Sequence, residues 1–437
     1  MFHSKSLLSL ALLLGLISSS WATEMDEWGD DAAWEEESWE EEAEVSSPWH
    51  GFVDLGWGQF VDHSNPTKKN QSLAEARMQL ETTRYFGEVE SSATADLVVD
   101  GVTDEVNLEL RTAFINLTPG DNFDLRIGRQ ILTWGTGDLL FLNDLFPKDW
   151  QSFFSGRDME YLKAPADAAR LTWYNPQANI DIAWVPLFEP DNFLTGERFS
   201  YFSPMAGTIV AAPPKLQTIE PSHSAENGEL ALRIYQTHNN IEWALYAYRG
   251  FYKQPTGFDP SSGKNIFPSL SAYGASVRAP VHSGIGNIEM VYYDSRDDRD
   301  GTDPLKPNSQ WQLLLGYEQE LITRLTVSAQ YYLQVLMDHH QLKAHSPTPQ
   351  FEPNKRHHTL TSRLTYRMQQ DKLRLSLFVF YSPDNKDGYL LPSVNYRYND
   401  SWSLTAGGNW FFGDEKHTFF GQLQDNNNVY TRLTYHY

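Results

Sequence analysis

The chain has no cysteine in its 437 residues, which excludes a disulfide framework and any thiolate metal site. It also lacks a long apolar run: the longest, Leu7 to Ile17, covers about eleven residues, against the roughly 20 that an α-helix needs to cross a bilayer. No transmembrane helix is therefore expected. Neither a Gly-x-Ser-x-Gly nucleophile elbow nor a phosphate-cradling glycine loop with lysine occurs, so an enzyme is not expected and no cofactor is implied. No internal repeat of 40–50 residues argues for a propeller. Only Thr23 to Trp49 precedes the first strand-like segment, too little for the plug domain of a 22-strand gated transporter. Thr23 to Ser47 contains no lysine or arginine at all.

What is present begins with a leader. One basic residue, Lys5, precedes the apolar run, and Ser18-Ser19-Ser20-Trp21-Ala22 follows it, so residues 1–22 read as a signal peptide. Residues 23–47 then hold twelve Asp and Glu, with Trp28, Trp34 and Trp39 among them. Charge this dense cannot bury enough apolar surface to offset its ordering entropy, so the segment is expected to be an acidic disordered periplasmic tail, open to a periplasmic partner. It carries about half of the formal charge of -23. No nucleic-acid partner is expected.

The whole chain combines a mean hydropathy of -0.50 with 14% aromatic residues, and residues 48–437 are expected to form the barrel. That pairing suits a wall with one lipid face, one wet face and aromatic girdles at the two interfaces. The alternation is cleanest in the last segment, where Val429, Thr431, Leu433, Tyr435 and Tyr437 share one face and Tyr430, Arg432, Thr434 and His436 the other. A terminal strand apolar at every second position and ending on an aromatic, here Val429, Leu433, Tyr435 and Tyr437, resembles the assembly signal of bacterial outer-membrane β-barrels of the porin type. The resemblance implies lipid and the barrel-assembly machinery as partners, the bacterial outer membrane as location, and channel transport of small solutes as function.

Period-two segments recur near 51–60, 73–85, 88–99, 107–117, 123–133, 168–174, 179–185, 229–237, 241–249, 271–280, 286–294, 310–320, 323–335, 358–368, 371–382, 389–398, 401–412 and 428–437. They predict a closed antiparallel transmembrane barrel of 18 strands, or 16 if the 168–185 pair belongs to a loop. Eight short junctions, among them Asn239-Asn240, Gln369-Gln370 and Asn399-Asp400, would lie in the periplasm, and nine long loops outside. Leu373, Leu375, Leu377, Val379 and Tyr381 would face lipid, where a soluble sheet would face water.

With the apolar phase outward, Arg363, Arg367, Arg374, Arg397 and Arg432 turn inward as a basic wall, with no Asp or Glu in that phase of the last five strands. The early strands supply Glu75, Arg77, Glu81, Glu88, Glu90, Asp96, Glu109, Arg111 and Arg126, expected as a mostly acidic arc opposite that wall. Opposed fixed charges across a narrow aqueous gap would sort charged and dipolar solutes; alternatively they merely pair and stiffen the wall. A bore of eighteen strands is wide. The third long loop is the expected constriction, with Trp134, Asp138, Phe141, Phe146, Trp150 and Phe153, because so apolar a segment would be a liability in solution. An apolar constriction over a charged lumen would suit small amphipathic or anionic solutes.

Arg129 breaks the pattern. In the phase of Phe123, Leu125 and Ile127 it would meet lipid, so a bulge at Gly128 is expected to turn it inward. Gly128-Arg129-Gln130 ahead of a long loop is similar to alginate-export-type and related porin-like barrels, which implies export as readily as uptake and does not name alginate. His339, His340, His345, His357 and His358 crowd one loop, but no carboxylate pattern completes a metal site and none is expected. The alternative function is the outer-membrane component of an export or envelope-binding system docked through residues 23–47.

Overall fold

The computed structural model describes residues 49–62 and 65–437. The expected leader and acidic tail lie outside the described residues. Eighteen strands form one sheet: β1 (Trp49–Phe60), β2 (Gln71–Phe86), β3 (Val89–Asp100), β4 (Glu105–Leu117), β5 (Phe123–Gln130), β6 (Ala166–Trp173), β7 (Asn179–Val185), β8 (Glu229–His238), β9 (Ile241–Phe251), β10 (Ser269–Val281), β11 (Gly284–Ser295), β12 (Gln310–Ile322), β13 (Leu325–Leu336), β14 (Arg356–Met368), β15 (Leu373–Ser382), β16 (Asp387–Arg397), β17 (Trp402–Gly413) and β18 (Asn428–His436). Each pairs antiparallel with its neighbours in sequence. β18 returns to β1, from Phe52↔His436 to Phe60↔Asn428, and closes the sheet. The count is 18, because the 168–185 pair forms β6 and β7 and joins β5 to β8.

Closure follows from the solvent problem at an edge. In hydrocarbon each unpaired backbone N–H or C=O costs several kcal/mol, and a closed ladder leaves none. The outward phase carries the apolar residues, including Leu245, Ile288, Met290, Leu315, Leu364, Val394 and Leu404, all exposed. Aromatic residues of the same phase gather at two levels. Phe123, Trp173, Tyr366, Tyr396, Trp402 and Tyr435 lie toward one rim, and Trp57, Trp184, Tyr273, Trp311, Tyr381 and Phe412 toward the other. Two such girdles bracket the apolar band of a transmembrane barrel.

The two rims differ in their connections. At one, the turns are 87–88, 118–122, 174–178, 239–240, 282–283, 323–324, 369–372 and 398–401. Asn239 and Asn240 both take positive φ (52° and 64°), the geometry that matches the twist of a two-residue hairpin. At the other rim run 61–70, 131–165, 186–228, 252–268, 296–309, 337–355 and 414–427, together with two connections shorter than expected, 101–104 and 383–386.

Segment 131–165 contains one short α-helix, α1 (Trp150–Ser155), followed by a 3-10 turn over Met159–Leu162. Its N-cap Asp149 accepts from the Ser152 amide at 2.7 Å, and Gly156 ends it at φ 87°. A side chain at Gly156 would also strike the Tyr430 ring of β18, which an added Cβ would approach to 2.3 Å. The glycine thus serves both the turn and the close approach.

Candidate functional site

Strand registers assign every inward position. Asp54 faces Arg77, Gln79 faces Asp96 and Asp96 faces Glu109, so these side chains share one phase with Glu75, Glu81 and Glu90. On the other side of the seam Arg363, Arg367, Arg374, Arg397 and Arg432 share the inward phase of β14, β15, β16 and β18. Inward residues His50, Gln79, Glu81, Asn395, Thr405 and Arg432, with Asp158 and Glu160 of segment 131–165, line a common cavity of about 510 Å³ near the short-turn rim.

Four expectations need correction. The acidic and basic arcs adjoin, because β18 pairs with β1, and an Arg432–Asp54 ion pair (2.9 Å) bridges the seam. Strands across the bore from the arginines instead carry Arg126, Arg170 and Arg233, the last two paired with Asp181 and Glu242. Glu88 lies in the exposed 87–88 turn and not on an inward strand face. Asp387 does share the inward phase of β16, at its outer end, where it accepts from the Phe420 amide at 2.8 Å.

Arg129 is the fourth. No bulge occurs at Gly128: the register runs unbroken from Leu117↔Leu125 to Ala113↔Arg129 and from Ile127↔Ala169 to Arg129↔Asp167. Arg129 therefore stays in the outward phase, one residue from the end of β5. There it is satisfied by Asp167 (3.1 Å), Glu189 (3.0 Å) and the Leu110 carbonyl (2.7 Å). The ladder is disrupted one strand earlier, where Ala95↔Leu110 and Thr94↔Thr112 leave Arg111 as the extra residue. Its guanidinium lies 4.1 Å from the centre of the Tyr161 ring, and Arg77 lies 4.2 Å from the same ring.

The acidic arc holds cations from the long segments. Glu75 accepts from Arg157 at 2.8 Å, Asp100 takes Arg157 and Arg198, and Asp96 accepts from the Tyr161 hydroxyl at 2.9 Å and from Arg77. Burial alone would push the Arg157 guanidinium toward neutrality, but Glu75 holds its pKa above the ordinary value. An unpaired charge here would cost several kcal/mol, so the carboxylates fix where the segments can lie. The Arg126 guanidinium stacks on Phe114 at 4.3 Å, an inward position on β4.

Segment 131–165 reaches two flanks of the wall. Trp134 and Phe146, 5.0 Å apart edge to face, pack with Leu142 against the inward residues Ala168, Ala183, Ala231, Ala244 and Ala272. Glu289 of β11, fully buried, accepts from Thr136 N (2.7 Å) and Oγ1 (2.9 Å) and from Asn143 N and Nδ2 (both 2.9 Å). Gly274 makes room for Asn143, whose Oδ1 would lie 1.8 Å from an added Cβ. On the other flank Phe153 and Phe154 meet Tyr389 at 5.6 and 5.8 Å, and Phe154 meets Phe411 at 5.3 Å. Phe141 and Trp150 stack edge to face at 6.3 Å, and the Trp150 indole donates to Asp191 at 2.8 Å.

The arginines of β14 to β18 fall into two groups. Arg363 pairs with Asp138 at 2.7 Å, and Arg432 with Asp54 and, at 3.5 Å, Asp158. Arg367, Arg374 and Arg397, exposed toward the short-turn rim, form no ion pair among the described residues. Val429, Leu433 and Tyr435 face outward, while the Tyr437 hydroxyl donates to the Gln79 carbonyl at 3.0 Å. The residues that sequence patterning missed are Arg157, Tyr161, Arg198, Glu289, Arg170 and Arg233.

A closed 18-strand barrel with an apolar band, two aromatic girdles and an ionised interior is an outer-membrane β-barrel of the porin class. Within that class the chain belongs to the DUF1302 family, described as a protein of unknown function, whose model matches residues 58–437. A comparison with curated proteins finds no match. Solved structures with this fold include OccAB4 of Acinetobacter baumannii, 10% identical over 89% of this chain and 97% of that one, with a TM-score of 0.54. OccAB3 of the same organism is 10% identical over 89% and 98%, with a TM-score of 0.52. OccK11 (OpdR) of Pseudomonas aeruginosa is 9% identical over 89% and 95%, with a TM-score of 0.50. At these identities the likeness is one of fold.

Proposed function

We propose that this barrel is a passive channel for small amphipathic or anionic solutes, with segment 131–165 as the element that narrows its bore. The observation that carries the reading is the set Arg367, Arg374 and Arg397: three guanidinium groups in the inward phase, near one mouth, with no carboxylate partner among the described residues. Screening at physiological salt confines each charge to roughly 8 Å, so local charge outranks the acidic total. Anions entering at that rim meet unneutralised cations, whereas Glu75, Asp96 and Asp100 of the early strands are already engaged by Arg77, Arg157 and Arg198. The contacts of Trp134, Phe146, Phe153 and Phe154 with inward side chains support the narrowing role. Purified protein in planar bilayers under a salt gradient should conduct and prefer anions. A silent bilayer would contradict the channel, and cation preference would contradict the role of the arginines.

A further inference from the structure

Four long connections, 131–165, 186–228, 252–268 and 414–427, meet at α1 and border an open-mouthed cavity of about 310 Å³. Its wall is mostly carbon: Trp150 and Phe154 of α1, with Phe193, Leu194, Leu216 and Leu423. No Lys, Arg, His, Asp or Glu lines it. Two of its polar side chains hydrogen-bond elsewhere, Gln254 through its Nε2 alone. Gln254 donates to Asp191 at 2.6 Å; Gln422 accepts from the Phe202 amide and donates to the Phe419 carbonyl, both at 3.2 Å. The hydroxyls of Tyr201 and Thr256 make no hydrogen bond among the described residues. Two unengaged hydroxyls therefore line a mostly apolar concavity.

We infer that this cavity is a binding site for the uncharged ring system of a small one- or two-ring compound, aromatic or alicyclic, with no more than two hydrogen-bonding groups. An ionised group would lose its hydration with no counter-charge to replace it. A sugar would bring more hydroxyls than Tyr201, Thr256 and the Gln254 Oε1 can satisfy, and each one left unpaired would be desolvated without compensation. The volume sits at the lower end of ligand pockets, which run from about 300 to 1,000 Å³. Trp150 and Phe154, tilted 32° with centroids 6.2 Å apart, offer a ring both face and edge contacts. Binding at this site requires no conduction, so it goes beyond the channel reading and can be tested apart from it.

The test is calorimetric titration of 1-naphthol, neutral at pH 7, into the full chain held in amphipol, with protein-free amphipol as the blank. Leu216→Trp fills the cavity and Thr256→Trp covers its exposed mouth, and heat-modifiable mobility confirms that each variant is folded. The expected result is saturable 1:1 binding to the wild type, weakened at least about tenfold in either folded variant, with no competition from glucose. Heat indistinguishable from the blank, equal affinity in a folded variant, or displacement by glucose would overturn the inference.

Discussion

The two flanks that receive segment 131–165 hold it in opposite ways. Along β6 to β10 the wall is mostly small, with Ala168, Ala183, Ala231, Ala244 and Ala272 inward beside Tyr246 and Tyr248, and the segment supplies bulk through Trp134, Leu142 and Phe146. Along β15 to β17 the wall is itself large: Tyr389 and Phe411 meet Phe153 and Phe154 ring to ring, with Phe378 and Phe380 in the same cluster. The first flank adds a carboxylate socket, Glu289, with four donors around it, and the second adds the Asp138–Arg363 pair. A segment held by volume complementarity on one side and by ring stacking on the other should respond differently to mutations on the two sides.

The largest effect should come from removing the segment. Replacing residues 136–160 by a short Gly-Ser linker is expected to raise single-channel conductance several-fold, because a bare bore of this strand number is wide enough for an aqueous channel. Unchanged conductance would mean that the segment does not narrow the path. On the aromatic flank, Phe411→Ala removes a ring stacked 4.4 Å from Tyr389. It should cost about 3–5 kcal/mol, read as a lower heat-modification temperature. On the alanine flank, Ala244→Trp overfills space taken by Trp134 and should cost about 1–3 kcal/mol. If the two substitutions ranked the other way, the contrast between the flanks would fail.

A smaller effect should appear with pH. Burial raises the pKa of Asp138, against the pull of Arg363, and burial likewise raises Glu160. Both carboxyls lie in segment 131–165, and both should take up protons above the ordinary Asp and Glu range of about 4. As pH falls from 7 through that window they become neutral, and Asp138 ceases to offset the charge of Arg363. Anion preference should therefore increase on acidification and stay flat from pH 7 to 9. An opposite slope would place these groups off the conducting path.

The fold was legible because alternation at period two marks strands wherever they lie, and all eighteen segments read from the sequence correspond to β1 through β18. The inward phase of Arg363 through Arg432 was readable for the same reason. Circular closure leaves no mark on the period: it puts the first strands beside the last, so Glu75 and Asp96 adjoin the basic arc and do not oppose it. Contacts such as Arg157 with Glu75 or Thr136 with Glu289 join loop to wall without any period, so no spacing betrays them. One further signal lies in the sequence. Alanine at inward positions on five of the strands from β6 to β10 makes sense only if another segment fills the space they leave. Arg111 and Arg129 show the limit of phase reasoning, since one bulged residue turns inward and one rim residue stays out with its own carboxylates.

Selectivity of the double variant Arg374→Glu, Arg397→Glu tests the central claim most directly. Both side chains are exposed at the short-turn rim and free of ion pairs among the described residues, so folding should be retained and heat-modifiable mobility unchanged. The reversal potential in a salt gradient should move toward that of cations. A folded double variant that conducts with unchanged selectivity would show that these arginines do not line the path solutes take, and would contradict the account.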